Sequence, residues 1–219
     1  MIIDKLTSIE NEIQLKIKEE HISNYKPNII AVSKTFPIGN ILPLINYGHI
    51  HFGENKVQEA LQKWTDIKND FKNLKLHMIG KLQTNKVKYV INLFDYIHSL
   101  DNLKLAEKLS SEQLKKGKKL KIFIQLNIGN EEQKSGILPN KLSEFYKICI
   151  NDLNLNIIGL MCLPPNNQDS NKYFSEMQKL QKEIKIKDLS MGMSQDYLSA
   201  IKYGSTFLRI GSKIFGPRT

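Results

Sequence analysis

The sequence predicts a closed (β/α)8 barrel, an α/β fold of the TIM-barrel type, and two observations lead to that prediction. Short β-branched runs alternate with longer segments whose apolar residues recur at helical spacing along the 219 residues. This alternation implies parallel strands joined by crossover helices. Eight strand signals favour a closed barrel, because an open doubly wound sheet more typically has about five or six strands.

The individual elements follow in order along the chain. An amphipathic helix near Ile3–Ile22 precedes the first strand and is additional to the barrel. The predicted strands are Asn28–Ser33, Ile50–Phe52, Lys75–Ile79, Tyr96–Ser99, Lys121–Ile128, Ile157–Leu160, Asp188–Met191 and Thr206–Ile210. The last strand leads into a short Gly/Pro tail with little room for a helix. No linker or repeat divides the chain, so residues 1–219 are expected to form a single domain.

Composition narrows the function classes. The net charge of +10 comes from lysines spread over almost every helix, which favours a solvated surface over a specific nucleic-acid site. No apolar run approaches the ~20 residues of a membrane span, and the first twenty residues lack the features of a signal peptide. Cys149 and Cys162 have no CxxC partner, which argues against a metal site and fits a reducing compartment. We therefore expect a cytoplasmic protein.

Lys34 is the most informative residue of the chain. It closes the apolar strand that begins at Asn28, just before the turn Thr35–Pro37. Burial disfavours the charged form of a lysine and frees its amine to attack an aldehyde or ketone. The simpler alternative is that the side chain extends from the strand end into water. The rest of the chain favours the first interpretation.

The ends of strands seven and eight have the residues of a phosphate site. Gly192 and Gly211 allow close approach of the backbone to an anion, and Ser194 and Ser212 offer hydroxyl groups. Ser194 could equally be the N-cap of a helix over 195–203, and both glycines could be simple turns. Because phosphate sites of such barrels lie after strands seven and eight, the pair of segments favours phosphate binding.

Arg209 lies within the apolar run Phe207–Ile210 and is always charged. If it points outward it forms an ordinary salt bridge with a helix; if it points inward it must meet an anion or an acceptor nitrogen. A Schiff-base lysine and a phosphate site at one barrel mouth suggest a phosphorylated carbonyl compound. Pyridoxal phosphate fits all three groups, with its aldehyde on Lys34 and its ring nitrogen on Arg209.

Several segments together resemble the YggS/PROSC family of pyridoxal-phosphate-binding proteins. The similarity runs in order from Ile30 to Arg218, over nearly the whole chain. Its segments are Ala31–Thr35, Phe52–Asn55 with Gln58–Glu59, His77–Gly80 with Leu82–Lys86, Lys134–Gly136, Gly159–Met161, Leu189–Ser194 and Tyr203–Ser212 with Ile214–Gly216. The departures, Lys81 and Asn156, do not touch the inferred cofactor contacts.

The resemblance implies the fold of the alanine racemase N-terminal domain, known as fold type III among pyridoxal phosphate proteins. It also implies a role in vitamin B6 homeostasis and amino-acid balance, without established catalytic turnover. Lys34 would hold the cofactor covalently as a Schiff base. The other implied cofactor-binding residues are Ser194, Arg209, Gly211 and Ser212, with Asn55, His77 and Met161 lining the pocket.

Three other functions compete with this prediction. Weak amino-acid racemase activity would need a second acid/base, which alanine racemases take from a C-terminal domain that is not expected beyond Thr219. A class I aldolase would be colourless without substrate, and a nucleic-acid-binding module would lose affinity between low and physiological salt. His77 could be a base, but we favour a structural role, and we expect His49, His51 and His98 to lie at the edge of the core.

The expected partners are pyridoxal phosphate itself and, transiently, apo-enzymes that use it. No specific nucleic acid, membrane or metal is expected to bind, and the protein is expected to be a monomer or a weak homodimer.

Overall fold

Eight parallel strands close into a barrel in a computed structural model that describes residues 1–166 and 168–217. Each strand pairs with its neighbour in sequence, and β8 returns to pair with β1. The strands are β1 (Asn28–Val32), β2 (His51–Glu54), β3 (Lys75–Met78), β4 (Tyr96–Leu100), β5 (Lys121–Leu126), β6 (Ile157–Cys162), β7 (Asp188–Met193) and β8 (Phe207–Ile210). All eight predicted strands are present, and the predicted barrel is confirmed.

A helix follows every strand. The helices are α1 (Ile2–Glu19), α2 (Ile38–Asn46), α3 (Val57–Asp70), α4 (Val87–Leu93), α5 (Leu103–Lys116), α6 (Leu142–Lys147), α7 (Ser170–Glu183), α8 (Tyr197–Lys202) and α9 (Ser212–Phe215). Short 3-10 turns at Thr84–Lys86 and Pro139–Lys141 precede α4 and α6, and a π-helical turn, Ile148–Asp152, extends α6. The tail after β8, where the sequence predicts little room for a helix, contains only the four-residue helical turn α9.

The N-terminal helix α1 is the predicted addition to the barrel. Its buried residues are Leu6, Ile9, Ile13 and Ile17, whose spacing forms one apolar stripe on a helix. This stripe packs α1 against α2, α8 and α9, over the junction where β8 meets β1. The helix therefore supports the part of the barrel from which Lys34 and Arg209 extend.

The buried hydrophobic residues form two separate clusters. The larger region fills the space between strands and helices and includes Trp64, which is completely buried. The smaller region lies inside the barrel and consists of Ile30, Tyr96, Phe123, Met161 and Phe207. Because successive side chains of a strand point to opposite faces, β1, β4, β5, β6 and β8 each contribute to both regions.

The remaining predictions of this kind concern the two cysteines, membrane-spanning helices and the end of the chain. Cys149 and Cys162 are both buried thiols, and burial raises the pKa of each to about 12. No helix within the described ranges is long and apolar enough to cross a membrane. Arg218, where the family similarity ends, and Thr219, the last residue of the predicted domain, lie outside the described residues.

Candidate functional site

Lys34 lies in a turn two residues beyond the end of β1, and its side chain is half-buried. Ile30 belongs to the apolar cluster inside the barrel, and Val32 lies beside Gly211 at the end of β8. The alternation of side chains along β1 therefore places Lys34 on the inner side, at the carboxyl end of the barrel. This end is where enzymes of the same architecture bind their ligands.

The turn that contains Lys34 is held on both sides by hydrogen bonds with side chains of α3. The ammonium of Lys63 donates to the carbonyl oxygen of Ser33 at 3.0 Å. The backbone N–H of Thr35 donates to Glu59 Oε1 at 2.6 Å, and Lys63 also contacts that oxygen at 3.0 Å. Burial raises the pKa of Glu59, but the hydrogen bonds from Thr35 and Lys63 outweigh it and leave the pKa lowered. Glu59 is therefore an ionised acceptor at neutral pH.

Beneath this turn lies a buried carboxylate, Glu54, which is completely inaccessible to solvent. Its Oε1 accepts hydrogen bonds from Ser33 Oγ at 2.8 Å, Trp64 Nε1 at 2.9 Å and Lys63 Nζ at 3.0 Å. Its Oε2 has no hydrogen-bond partner among the described residues. A buried charge needs a counter-ion, so Lys63 neutralises Glu54 while it holds the turn. Neither Glu54 nor Lys63 is among the site residues that the sequence predicts.

Thr35 adopts a left-handed backbone conformation, with φ of 69°. This region is unfavourable for a β-branched residue, and such strain costs about 1–3 kcal/mol unless surrounding contacts enforce it. The hydrogen bond to Glu59 and the stacking of Phe36 on Phe215, with ring centroids 5.0 Å apart, supply such contacts. Because Phe215 belongs to α9, the stacking also connects the Lys34 turn to the loop after β8.

Ser194 joins the loop after β7 to the loop after β8. Its hydroxyl oxygen accepts the backbone N–H of Gly211 at 3.3 Å and that of Lys213 at 3.5 Å. The helix after β7 begins at Tyr197, and its preceding residue, Asp196, accepts the N–H of Met193 at 2.6 Å. The alternative in which Ser194 is the N-cap of a helix over 195–203 is therefore wrong. The hydroxyl lies instead beside the backbone of Gly211, a residue of the predicted phosphate site.

The two glycines of these loops have different roles. Gly192 has a φ of +88°, and a Cβ added there would lie 2.7 Å from Ala200 Cβ, so packing of α8 requires glycine. Gly211 has a negative φ of −117°, and an added Cβ would lie 3.3 Å from Val32 Cβ at the barrel mouth. Ser212, the first residue of α9, is exposed. The geometry thus favours a structural role for Gly192 and leaves Gly211 and Ser212 at the predicted site.

Arg209 points into the barrel and is 4% exposed. Its Nη1 donates to Ser190 Oγ at 2.6 Å, and its Nη2 donates to the carbonyl oxygen of Cys162 at 2.8 Å. Burial lowers the pKa of the guanidinium, yet an arginine remains protonated in proteins. No carboxylate of the described chain lies within ion-pair distance of it. Its hydrogen-bond acceptors among the described residues are neutral, so the interior has a positive charge that suits an electron-rich ligand.

A cavity of about 320 Å³ lies beside Asn55 at the same mouth. The residues that line it are Asn55, Ile79, Gly80, Lys81, Gln125, Leu126, Asn127, Gln133, Lys134, Ser135 and Leu163. Of the three residues predicted to line the cofactor pocket, Asn55 lies here. Met161 and His77 lie deeper, completely buried inside the barrel.

His77 is the middle of a row of hydrogen-bonded histidines inside the barrel. Its Nε2 lies 2.9 Å from His51 Nδ1, and its Nδ1 lies 2.9 Å from His98 Nε2. The Nδ1 of His98 lies 2.8 Å from Ser190 Oγ. Burial lowers the pKa of His51 to about 4 and the pKa values of His77 and His98 well below the usual range. All three rings are therefore neutral near pH 7.

This arrangement favours the structural role that we assigned to His77. It corrects the expectation for His98, which is completely buried in the interior and not at the edge of the core. His51 is half-buried, and His49 lies outside the row, with Nε2 2.9 Å from the carbonyl oxygen of His51. The sequence offered one signal for this row, since the three histidines occur in three consecutive strands.

Comparison with known proteins identifies the family. The alanine racemase N-terminal domain family matches residues 9–219. A pyridoxal phosphate homeostasis protein of Haemophilus influenzae is 39% identical, over 97% of this chain and 94% of the relative. The protein of the same name from Aquifex aeolicus is 35% identical, over 98% of this chain and 97% of the relative.

Solved structures agree with the sequence comparisons. PipY of Synechococcus elongatus, solved with pyridoxal phosphate bound, superposes with a TM-score of 0.83 at 31% identity, and the match covers 99% of this chain and 100% of PipY. The chain belongs to the alanine racemase N-terminal domain family and, within it, to the pyridoxal phosphate homeostasis proteins.

Proposed function

We propose that this chain binds pyridoxal phosphate as a single domain over residues 1–219 and takes part in vitamin B6 homeostasis. The observation that carries the proposal is the position of Lys34. Its amine lies in a turn fixed by Lys63 and Glu59, at the barrel end where Ser194 and the buried Arg209 also lie. A phosphorylated aldehyde with an aromatic nitrogen matches these three kinds of group.

The residues present fit the cofactor group by group. Lys34 would bind the aldehyde covalently as a Schiff base. The hydroxyl of Ser194 and the backbone N–H groups of Gly211 and Ser212 would hold the phosphate, because oriented N–H groups bind anions. Arg209 would face the ring nitrogen, with Asn55, His77 and Met161 forming the remainder of the pocket. When bound, pyridoxal phosphate supplies an aldehyde that reacts with amines and a ring that accepts electrons.

The proposed activity is reversible binding, not turnover. A guanidinium only donates hydrogen bonds, so Arg209 would face an unprotonated ring nitrogen. An unprotonated ring withdraws electrons weakly, which disfavours carbanion chemistry. We propose that the protein buffers the cofactor in the cytoplasm, as a monomer or weak homodimer that meets apo-enzymes transiently, and so affects amino-acid balance. Weak amino-acid racemase activity is the second candidate, since the family shares its fold with alanine racemases.

The experiment that tests the proposal uses the colour of the purified protein. The wild type should be yellow without added substrate and should give a borohydride-stable adduct on Lys34. Lys34→Ala should lose both properties, whereas Lys81→Ala and Lys134→Ala, which change two other lysines at the mouth, should keep them. A colourless wild type, or an adduct that peptide mass analysis assigns to Lys81 or Lys134, would refute the assignment.

The same preparations distinguish binding from catalysis. Enzymes typically turn over at about 1 per second or faster, and we expect rates far below this on panels of amino acids. Chiral separation and keto-acid detection would measure them. A robust turnover that Lys34→Ala abolishes would establish the racemase candidate instead.

A further inference from the structure

Five side chains form a continuous hydrogen-bonded row across the interior of the barrel. They are His51 on β2, His77 on β3, His98 on β4, Ser190 on β7 and Arg209 on β8. The row begins at His51, which is half-buried, and ends at Arg209. The rings of Tyr96 and Phe123 stack on His77 and His98, with centroids 4.2 Å and 4.3 Å apart, and both histidines are completely buried.

Arg209, the last member of the row, determines which atoms donate and which accept along it. A guanidinium has no acceptor, so in the contact at 2.6 Å Arg209 donates and Ser190 Oγ accepts. The serine has one proton of its own, which needs an acceptor. Among the described residues, the only other side chain in contact with this hydroxyl is His98, through Nδ1 at 2.8 Å. His98 Nδ1 must then be unprotonated, and its proton lies on Nε2.

The same reasoning extends to the other two rings. A neutral imidazole has one donor and one acceptor nitrogen. If His98 donates from Nε2, the Nδ1 of His77 accepts and His77 has its proton on Nε2. His77 in turn donates to His51 Nδ1, so His51 also has its proton on Nε2. The opposite direction would leave the buried hydroxyl proton of Ser190 without an acceptor, and an unsatisfied buried donor is unfavourable.

We infer that Ser190 is a positioning residue, which orients the guanidinium of Arg209 and fixes His98, His77 and His51 as Nε2–H tautomers. The two donors of Arg209 are held by Ser190 and by the carbonyl of Cys162, so the plane of the guanidinium is fixed. Any additional proton on a ring of the row would place two donors opposite each other. The row therefore keeps the interior neutral apart from the charge of Arg209.

Cofactor-free protein labelled with ¹⁵N-histidine tests this inference without reference to the proposed function. Two-bond ¹⁵N–¹H correlation spectra distinguish the tautomers, and the wild type should show Nε2–H for all three rings. Ser190→Ala should give mixed tautomers at His98 and also at His77 and His51, which it does not touch. The matched control is Ser205→Ala, because Ser205 is equally buried and its hydroxyl donates to the carbonyl of Met191 at 2.7 Å.

A second variant covers the case in which Ser190→Ala does not fold. Arg209→Met keeps Ser190 but removes the donor that sets the direction, and it should also give mixed tautomers. Nδ1–H tautomers in the wild type, or single Nε2–H tautomers retained in whichever of the two variants folds, would overturn the inference.

A second measurement, the affinity for pyridoxal phosphate, tests whether the row affects cofactor binding, and this test rests on the proposed function. Loss of the Ser190 acceptor frees Arg209 to move, and one hydrogen bond is worth about 1 kcal/mol, so Ser190→Ala should bind pyridoxal phosphate roughly 5-fold to 10-fold more weakly. Ser205→Ala should bind as the wild type does, and Ser190→Thr, which keeps the hydroxyl, should restore affinity. Equal affinities for Ser190→Ala and the wild type would refute the positioning role. If the wild type binds no cofactor, the proposed function fails while the tautomers still decide the direction of the row.

Discussion

Replacement of Lys63 by Met should destabilise this protein more than any comparable change of a surface lysine. Lys63 and Glu54 form an ion pair at 3.0 Å, with side chains 9% and 0% exposed. Loss of one partner from a buried pair costs about 3–5 kcal/mol, because the other charge remains in a poorly solvating interior. Glu54 would keep the hydrogen bonds from Ser33 and Trp64. We therefore expect the free energy of unfolding to fall by about 3 kcal/mol, the lower end of this range.

Lys16→Met is the matched control. Lys16 pairs with Glu20 at 2.9 Å on the surface of α1, where the side chains are 28% and 26% exposed. Exposed pairs contribute at most about 1 kcal/mol, so this variant should unfold close to the wild type. Urea denaturation of both variants, followed by circular dichroism, measures the difference in the free energy of unfolding.

The ion pair can also be removed from both sides. In the double variant Lys63→Met with Glu54→Gln no charge remains buried, so it should regain part of the lost stability. Lys63 also holds the carbonyl of Ser33 beside Lys34, and Lys63→Met should weaken cofactor binding as well. If Lys63→Met and Lys16→Met unfold within about 1 kcal/mol of each other, the buried ion pair does not support the turn as we argue.

Two further predictions concern the phosphate site and the histidines. Ser194→Asp should strongly reduce retention of pyridoxal phosphate in equilibrium dialysis, because a carboxylate would lie against the phosphate. The control is Ser111→Asp, an exposed change on α5. Unchanged affinity of Ser194→Asp would refute the phosphate site. Burial lowers the pKa of His51 in the folded state to about 4. Between about pH 6.5 and pH 4 the unfolded chain therefore binds a proton that the native chain does not. As a result, the free energy of unfolding decreases as the pH falls. His77 and His98 act in the same direction. Urea midpoints should therefore drop from about pH 7.5 to about pH 5, above the range in which most carboxylates titrate, and equal midpoints would contradict neutral buried histidines. The charged and titratable groups that act on His51 besides the row are His49, Lys75, Lys121 and Asp95.

Local sequence patterns were sufficient to predict the architecture. The run that ends at Val32 is apolar and β-branched, and the stripe from Leu6 to Ile17 has helical spacing, so each element is specified by its own residues. Because parallel strands point their carboxyl ends to one side, the sequence also predicts that Lys34, Ser194 and Arg209 lie at one mouth. These predictions succeed because they depend on spacing within a segment and on the order of segments.

The contacts between those segments could be decided only by the tertiary structure. The sequence pattern is typical of an ordinary surface lysine at Lys63, four residues after Glu59. Only the packing of α3 on β2 shows that Lys63 neutralises Glu54. Ser190 lies 92 positions after His98, and the pairing of β7 with β8 shifts in register between Ser190 and Met193. Such contacts depend on the register and closure of the barrel, to which strands far apart in sequence contribute together. The sequence therefore determined which groups reach the mouth, and the closed barrel determined which of them touch.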